Sequence, residues 1–122
     1  MTSWTRAEIG ALGEQLAVDH LRSLGLRVLE RNWRCRYGEL DVIAVDDSVR
    51  TAVFVEVKTR TSDRFGGVEE AVTPQKVRRL RRLAGLWLAA QETGWPQVRI
   101  DVVRVRLGRS RTPEITHLQG VG

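Results

Sequence analysis

Three ionisable residues stand inside the most apolar part of the sequence, where a soluble protein is expected to form its central strands. In GELDVIAVDDSVRTAVFVEVKTR, residues 38–60, Asp41 lies between a leucine and a valine, and Glu56 and Lys58 alternate with valines. Because side chains alternate faces along a strand, Glu56 and Lys58 share one face. If the turn between the two strands is centred near Ser48, Asp41 lies opposite Glu56, or opposite Lys58 in a register shifted by two.

Two opposed carboxylates in a sheet repel each other and are costly to bury unless a cation neutralises them or one takes a proton. A divalent metal ion on Asp41 and Glu56 resolves this conflict, and all-oxygen ligands favour Mg²⁺ or Mn²⁺ over zinc. Lys58 is placed to orient or deprotonate a water and to stabilise developing charge, as phosphodiester hydrolysis requires. The same spacing also fits a half-buried ion pair between Asp41 and Lys58 with Glu56 solvated, and spacing alone does not decide between these interpretations.

Two long helices and several strands are predicted to position these residues. Apolar residues at helical spacing predict a first helix over residues 6–24, ended by Gly25, with Glu14 at the margin of its apolar face. Thr73 as N-cap and Pro74 at the first helical position open a second helix that ends near residue 92. A polar, glycine-containing loop is expected at residues 61–72.

Strands are predicted from β-branched content and alternation at residues 26–33, 39–46, 51–59, 97–106 and 114–118. Asp101, between apolar residues of the fourth strand, is expected to anchor the sheet or a loop. The order α-β-β-β-α-β-β predicts one mixed α/β domain over residues 1–122, with a central mixed sheet flanked by helices.

Composition fits a soluble single domain. The 122 residues are 42% hydrophobic and 29% charged, which is ordinary for a globular protein. No apolar stretch approaches the ~18–20 residues that span a bilayer, and the N-terminus shows no signal-peptide pattern. With Cys35 as the single cysteine and only two histidines, an internal disulfide is excluded and a Cys/His zinc site is disfavoured. A reducing cytoplasm is the expected location.

The net charge of +5 is the excess of 20 basic over 15 acidic residues, and only two of the basic residues, Lys58 and Lys76, are lysines. A basic balance suits nucleic acid as partner, although it also serves solubility alone. The arginines flanking the two acidic strands fit a rim that follows phosphates, with a solvated surface as the alternative. They are Arg34, Arg36, Arg60 and Arg64.

GELDVIA followed by FVEVKTR resembles the D…(D/E)xK core of the PD-(D/E)XK restriction-endonuclease-like superfamily. Over almost the whole chain the sequence is similar to the YraN family of small bacterial proteins, through blocks such as GALGEQLAVDHLRSLGLRVLERNWR, YGELDVIA and VTPQKVRRLRRLAGLWL. The resemblance implies a restriction-endonuclease-like fold, as in archaeal Holliday-junction resolvases. Glu14 matches a first-helix glutamate that joins the acids of the hairpin, and Gln75 matches a polar position that lines the site. No proline precedes Asp41 as the superfamily name suggests.

The expected function is therefore a Mg²⁺- or Mn²⁺-dependent endonuclease that cleaves DNA, including branched or damaged DNA. Asp41 and Glu56 hold the metal with Glu14, while Lys58 serves the attacking water and Gln75 assists. The rival is a nucleic-acid-binding module of the same fold whose site is silent. A purely structural or partner-binding role leaves the buried charge unexplained, and a homodimer is suggested only by analogy with junction resolvases.

Overall fold

The computed structural model describes residues 4–61, 72–108 and 112–122. In chain order its elements are α1 (Arg6–Ser23), β1 (Arg27–Cys35), β2 (Gly38–Asp46), β3 (Thr51–Arg60), α2 (Pro74–Ala89), β4 (Gln97–Arg106) and β5 (Glu114–Leu118). This is the predicted α-β-β-β-α-β-β order. The loop expected at 61–72 falls almost entirely outside the described residues.

The second helix ends earlier than the sequence predicted. Its last residue is Ala89 instead of a residue near Glu92, and Ala90 is its C-cap. The side chain of Gln91 donates a hydrogen bond to the carbonyl of Trp87 at 3.1 Å, and its backbone N–H bonds to the carbonyl of Leu88 at 3.1 Å. These bonds satisfy carbonyls that a continuing helix would otherwise pair, so the helix closes before Gly94.

A five-stranded mixed sheet forms the centre of the molecule, in the order β1-β2-β3-β4-β5. Neighbouring strands are antiparallel except β3 and β4, which are parallel. A parallel pair needs a long crossover connection, and α2 lies in that connection. The predicted α/β class with a mixed sheet is therefore confirmed.

Helix α1 covers one face of the sheet. Its N-terminus has a capping box, in which Thr5 and Glu8 satisfy each other's backbone N–H groups. Ala17, Val18 and Leu21 are fully buried. They pack with valines and alanines of the central strands, including Val42, Ala44, Val53, Val55, Val103 and Val105.

Helix α2 covers the opposite face. Thr73 accepts a hydrogen bond from the N–H of Lys76 at 3.2 Å, and Pro74 occupies the first turn, as predicted. Leu80, Leu83 and Trp87 pack against a second group of sheet residues that includes Ile43, Phe54 and Ile100. The sheet thus lies between two helices. In the described part of the chain, neither helix is long and apolar enough to cross a membrane.

The β2–β3 hairpin has the register that the sequence predicted. Val42 pairs with Val55, and Asp46 pairs with Thr51. Asp46 accepts hydrogen bonds from the backbone N–H and the hydroxyl of Ser48 at 3.1 and 2.6 Å, which fixes the turn. Continued by one residue, this register sets Asp41 across from Glu56, at the point where the described ladder ends.

Asp101 anchors the C-terminal residues, as expected from its place in the fourth strand. Its carboxylate is fully buried and accepts hydrogen bonds from Arg99 at 2.9 and 3.0 Å and from the N–H of Gly120 at 3.0 Å. Nε2 of His117 lies 2.8 Å from the same carboxylate, and Nδ1 of His117 lies 3.1 Å from Nε2 of His20 on α1. Both histidines of the chain therefore join α1 to the edge strand β5.

Candidate active site

Asp41 stands where β2 and β3 separate, and its carboxylate occupies the gap. Oδ2 accepts a hydrogen bond from the backbone N–H of Val57 at 2.7 Å. Burial raises the pKa of Asp41 to about 6, the Val57 hydrogen bond opposes this, and the charges of Glu56, Glu39 and Glu14 raise it further. The pattern means that three other acids lie within electrostatic reach of a largely buried carboxyl group.

Glu56 is also largely buried, with 12% of its side chain exposed, and it forms an ion pair. Nη2 of Arg79, on α2, lies 2.7 Å from Oε1 of Glu56. The alternative in which Glu56 is solvated is therefore wrong. The guanidinium of Arg79 thus reaches from α2 to the sheet.

Glu14 reaches the same region from α1 and is also held by an arginine. Oε2 of Glu14 accepts hydrogen bonds from Nη2 of Arg31 at 2.7 Å, from Nε of Arg31 at 3.1 Å and from the side-chain amide of Asn32 at 3.2 Å. The preceding residue, Gly13, lets α1 approach β3 closely: a Cβ built there would lie 2.7 Å from Cγ2 of Thr59. This close approach sets the depth at which Glu14 sits.

A small hollow opens beside Glu56 between the second helix and the ends of β3 and β4. Its lining carries three cationic side chains, Lys58, Lys76 and Arg104, together with Glu56 and the apolar residues Val72, Leu80 and Val102. Both lysines of this arginine-rich chain thus line one hollow. The sequence argument singled out Lys58 and missed Lys76, although the scarcity of lysine was a signal that pointed to both.

The donor chemistry of the acids suits a hard divalent cation, but the side chains are not gathered around one point. Among the residues that the structure describes, no three His, Cys, Asp or Glu side chains form a ready set of metal ligands. Glu14 and Glu56 instead point at their arginines. Arg79 bonds Oε1 of Glu56, so a metal ion between Asp41 and Glu56 would have to share this carboxylate with Arg79 or displace the guanidinium.

The remaining predicted site residues lie at the margins. Gln75 is exposed at the start of α2, next to Lys76 but outside the lining of the hollow, so its assisting role stays a prediction. Arg34 is exposed and pairs with Glu39 at 3.0 Å. Arg60 is exposed at the end of β3. Arg64 lies outside the described residues.

Arg36 lies on the turn between β1 and β2 and contacts an aromatic ring. Its Cζ is 5.2 Å from the ring centroid of Tyr37, and Cζ of Arg82 is 4.3 Å from the same centroid. Together with the Arg79–Glu56 pair, these contacts place a basic surface with one exposed aromatic residue beside the candidate site.

Comparison with known proteins relates the chain to one family. Residues 13–105 match the family model described as "Uncharacterised protein family UPF0102". A UPF0102 protein of Mycobacterium sp. (strain KMS) is 77% identical over 121 residues, covering 99% of this chain and 90% of that protein. A UPF0102 protein of Mycolicibacterium gilvum (strain PYR-GCK) is 73% identical over 118 residues, covering 97% and 96%. Since the match includes Glu14, Asp41, Glu56, Lys58 and Lys76, the whole candidate site lies within the shared region, and the chain belongs to the UPF0102 family.

Proposed function

We propose that this protein is a Mg²⁺- or Mn²⁺-dependent nuclease that hydrolyses DNA phosphodiester bonds at the Asp41–Glu56–Lys58 site in the cytoplasm. The observation that carries the proposal is the surplus of acids around Asp41, whose pKa is raised to about 6 by burial and then by Glu56, Glu39 and Glu14. Several carboxylates close to a largely buried one cost folding free energy. A function that requires negative charge at this position explains why the protein carries them.

The sheet supports the proposal by bringing the acids and the cations together. Glu56 and Lys58 lie on the same face of β3, and the parallel register sets Lys58 beside Arg104 of β4. Lys76 completes a hollow with three cationic side chains and one acid. A phosphate group at the mouth of this hollow would meet positive charge on several sides and a carboxylate at its edge.

In the proposed reaction Asp41 and Glu56 hold the metal ion, with Glu14 assisting. When bound, the ion neutralises charge on the phosphate and supplies an acidic water. Lys58 would orient an attacking water or take its proton, while Lys76 and Arg104 would stabilise the charge that grows on the phosphate oxygens. Arg79 would then share Glu56 with the ion or release it, and an incoming phosphate offers its guanidinium an alternative anionic partner.

The second candidate is a DNA-binding module with a silent site. Its specific support is that Glu14 and Glu56 already have arginine partners at 2.7 Å, so a metal ion is not needed to neutralise them. Either function predicts mainly electrostatic DNA binding. The logarithm of affinity should then fall with the logarithm of salt concentration with a slope of ~0.9 per phosphate contacted.

Purified protein incubated with Mn²⁺ or Mg²⁺ on linear, flapped and four-way DNAs separates the two candidates. We expect cleavage by the wild type, and its loss in Glu56→Gln and in Lys58→Ala, by ~10²- to 10⁴-fold for Lys58→Ala. DNA binding should survive both changes. The matched control is Asp47→Asn, since Asp47 lies at the turn of the same hairpin, is exposed, pairs with Arg27 and is not among the acids that raise the pKa of Asp41. DNA binding without cleavage by any of these proteins favours the silent module.

A further inference from the structure

Tyr37 is the one aromatic side chain that the described structure holds in contact with two arginines, and it is 47% exposed. It lies on the tight turn between β1 and β2, where Gly38 has φ +141°. That backbone conformation favours glycine and turns the chain directly into β2. About half of the Tyr37 side chain is therefore open to solvent, while the two guanidinium groups lie over its ring.

The ring is physically connected to the candidate active site through helix α2. Arg79 and Arg82 are three residues apart, so they lie on the same side of the helix. Arg79 binds Glu56 at 2.7 Å, and Arg82 lies over the ring of Tyr37 at 4.3 Å. A Cβ built at Gly38 would lie 4.0 Å from Nη1 of Arg79. Tyr37 and Glu56 are therefore contacted by two arginines that lie about one turn apart on the same helix.

We propose that Tyr37, flanked by Arg36 and Arg82, stacks on an unpaired base of the DNA strand whose phosphates approach the site. Aromatic rings interleaved with guanidinium groups are the chemistry that single strands require, because bases stack on the ring and the arginines track the backbone. A fully paired duplex hides its base faces and offers this ring only its phosphates. Tyr37 is thus a substrate-binding residue that selects strands with exposed bases.

This inference rests on the proposed function for its choice of DNA, so its test is designed to be independent of cleavage. Binding is measured in EDTA by fluorescence anisotropy with three labelled probes of 12 nucleotides or base pairs. They are oligo(dT), a duplex, and an abasic strand that carries the same backbone charge without bases. The protein variants are wild type, Tyr37→Phe and Tyr37→Ala, with Trp4→Ala as the control at another exposed aromatic residue.

Loss of a stacked base should weaken oligo(dT) binding by Tyr37→Ala roughly 5- to 150-fold. Binding of the duplex and of the abasic strand should change less than twofold, and Tyr37→Phe should bind oligo(dT) like the wild type. Equal weakening on all three probes would show that Tyr37 only positions its arginines, and unchanged oligo(dT) binding would show no contact; either result overturns the inference. If the variants show this binding pattern but the wild type does not cleave DNA with Mn²⁺ or Mg²⁺, the stacking inference stands and only the proposed nuclease activity fails.

Discussion

The carboxylate of Asp41 accepts a hydrogen bond from the backbone N–H of Val57 at 2.7 Å. This bond takes the place of a ladder bond at the point where β2 and β3 separate. It fixes the Asp41 side chain between the strands, while burial and then the neighbouring acids favour its protonated form. One residue therefore both closes the end of the hairpin and carries the proposed metal-binding charge.

Replacing Asp41 by asparagine should stabilise the metal-free protein at neutral pH. Burial raises the pKa of Asp41 from 3.8 to about 6, so the folded state holds a proton more tightly than the unfolded state. Stability then falls as pH rises from about 4 to about 6, and the deficit persists at higher pH. Asp41→Asn keeps an acceptor for Val57 and removes the charge, so we expect a gain of about 1–3 kcal/mol at pH 7.5, vanishing near pH 4.

Urea unfolding of the wild type and of Asp41→Asn between pH 4 and pH 8 measures this gain in stability. Asp47→Asn is the control in the same hairpin, because Asp47 is exposed and Arg27 holds its pKa below the ordinary value. That substitution should not stabilise the protein at pH 7.5. A less stable Asp41→Asn at pH 7.5 contradicts the prediction.

Removing Arg79 should destabilise the protein through repulsion between Glu56 and Asp41, and should make its stability depend on divalent metal ions. Arg79→Ala leaves Glu56 mostly enclosed and unpaired by that guanidinium, close to Asp41. We expect a loss of about 1–3 kcal/mol, less than for a fully buried pair because 44% of the Arg79 side chain is exposed. Millimolar Mn²⁺ should raise the melting temperature of Arg79→Ala more than that of the wild type, since a cation replaces the lost arginine.

Arg78→Ala is the matched control for this experiment, since Arg78 is the exposed neighbour of Arg79 on α2. It should unfold like the wild type with and without Mn²⁺. If Mn²⁺ moves none of the three melting temperatures, the acids do not bind the metal.

The His20–His117 contact should make the protein sensitive to acid. Burial, and then the charge of His117, lowers the pKa of His20. Because the unfolded state binds this proton more readily, the contribution of His20 to stability is lost as pH falls below about 6.5. His20→Gln, which does not titrate, should lose less stability than its parent between pH 7 and pH 5. Thermal melts in an Asp41→Asn background separate this effect from the opposite one at Asp41, and parallel pH profiles would argue against it.

Gly13→Ala should test the close approach of α1 to β3, which positions Glu14, without altering any charge. The added methyl would lie 2.7 Å from Cγ2 of Thr59, so helix or strand must shift, at a cost of about 1–3 kcal/mol. Gly10→Ala on the same helix meets nothing within 4 Å and should instead gain about 0.5–1 kcal/mol. Chemical denaturation of both variants checks the contrast. A Gly13→Ala variant as stable as Gly10→Ala would mean that the approach of α1 to β3 is not tight.

The sequence was sufficient where local rules apply. Alternation along each strand and a turn near Ser48 predicted Asp41 opposite Glu56 or, in a register shifted by two, opposite Lys58. The observed pairing of Val42 with Val55 agrees with the first of these registers. The arginine partners of the acids could not be predicted. Arg79 reaches Glu56 only because the crossover brings α2 over the sheet, and a helical pattern does not specify which long side chain bends back. The pairing of His20 with His117, at a sequence separation of 97, could not be predicted either, because it also depends on how distant elements pack.

The parallel pairing of β3 with β4 implies an order of assembly. Strands β1, β2 and β3 join through short hairpins whose contacts are local, whereas Thr51 and Gln97, partners in the parallel pair, are 46 residues apart. Closing the longer loop costs more chain entropy and slows folding. We therefore expect the hairpin to form before the parallel pair, so that Asp41 and Glu56 meet and repel each other before α2 brings Arg79 to Glu56. The acids of the candidate site should therefore slow folding as well as lower the stability of the folded protein.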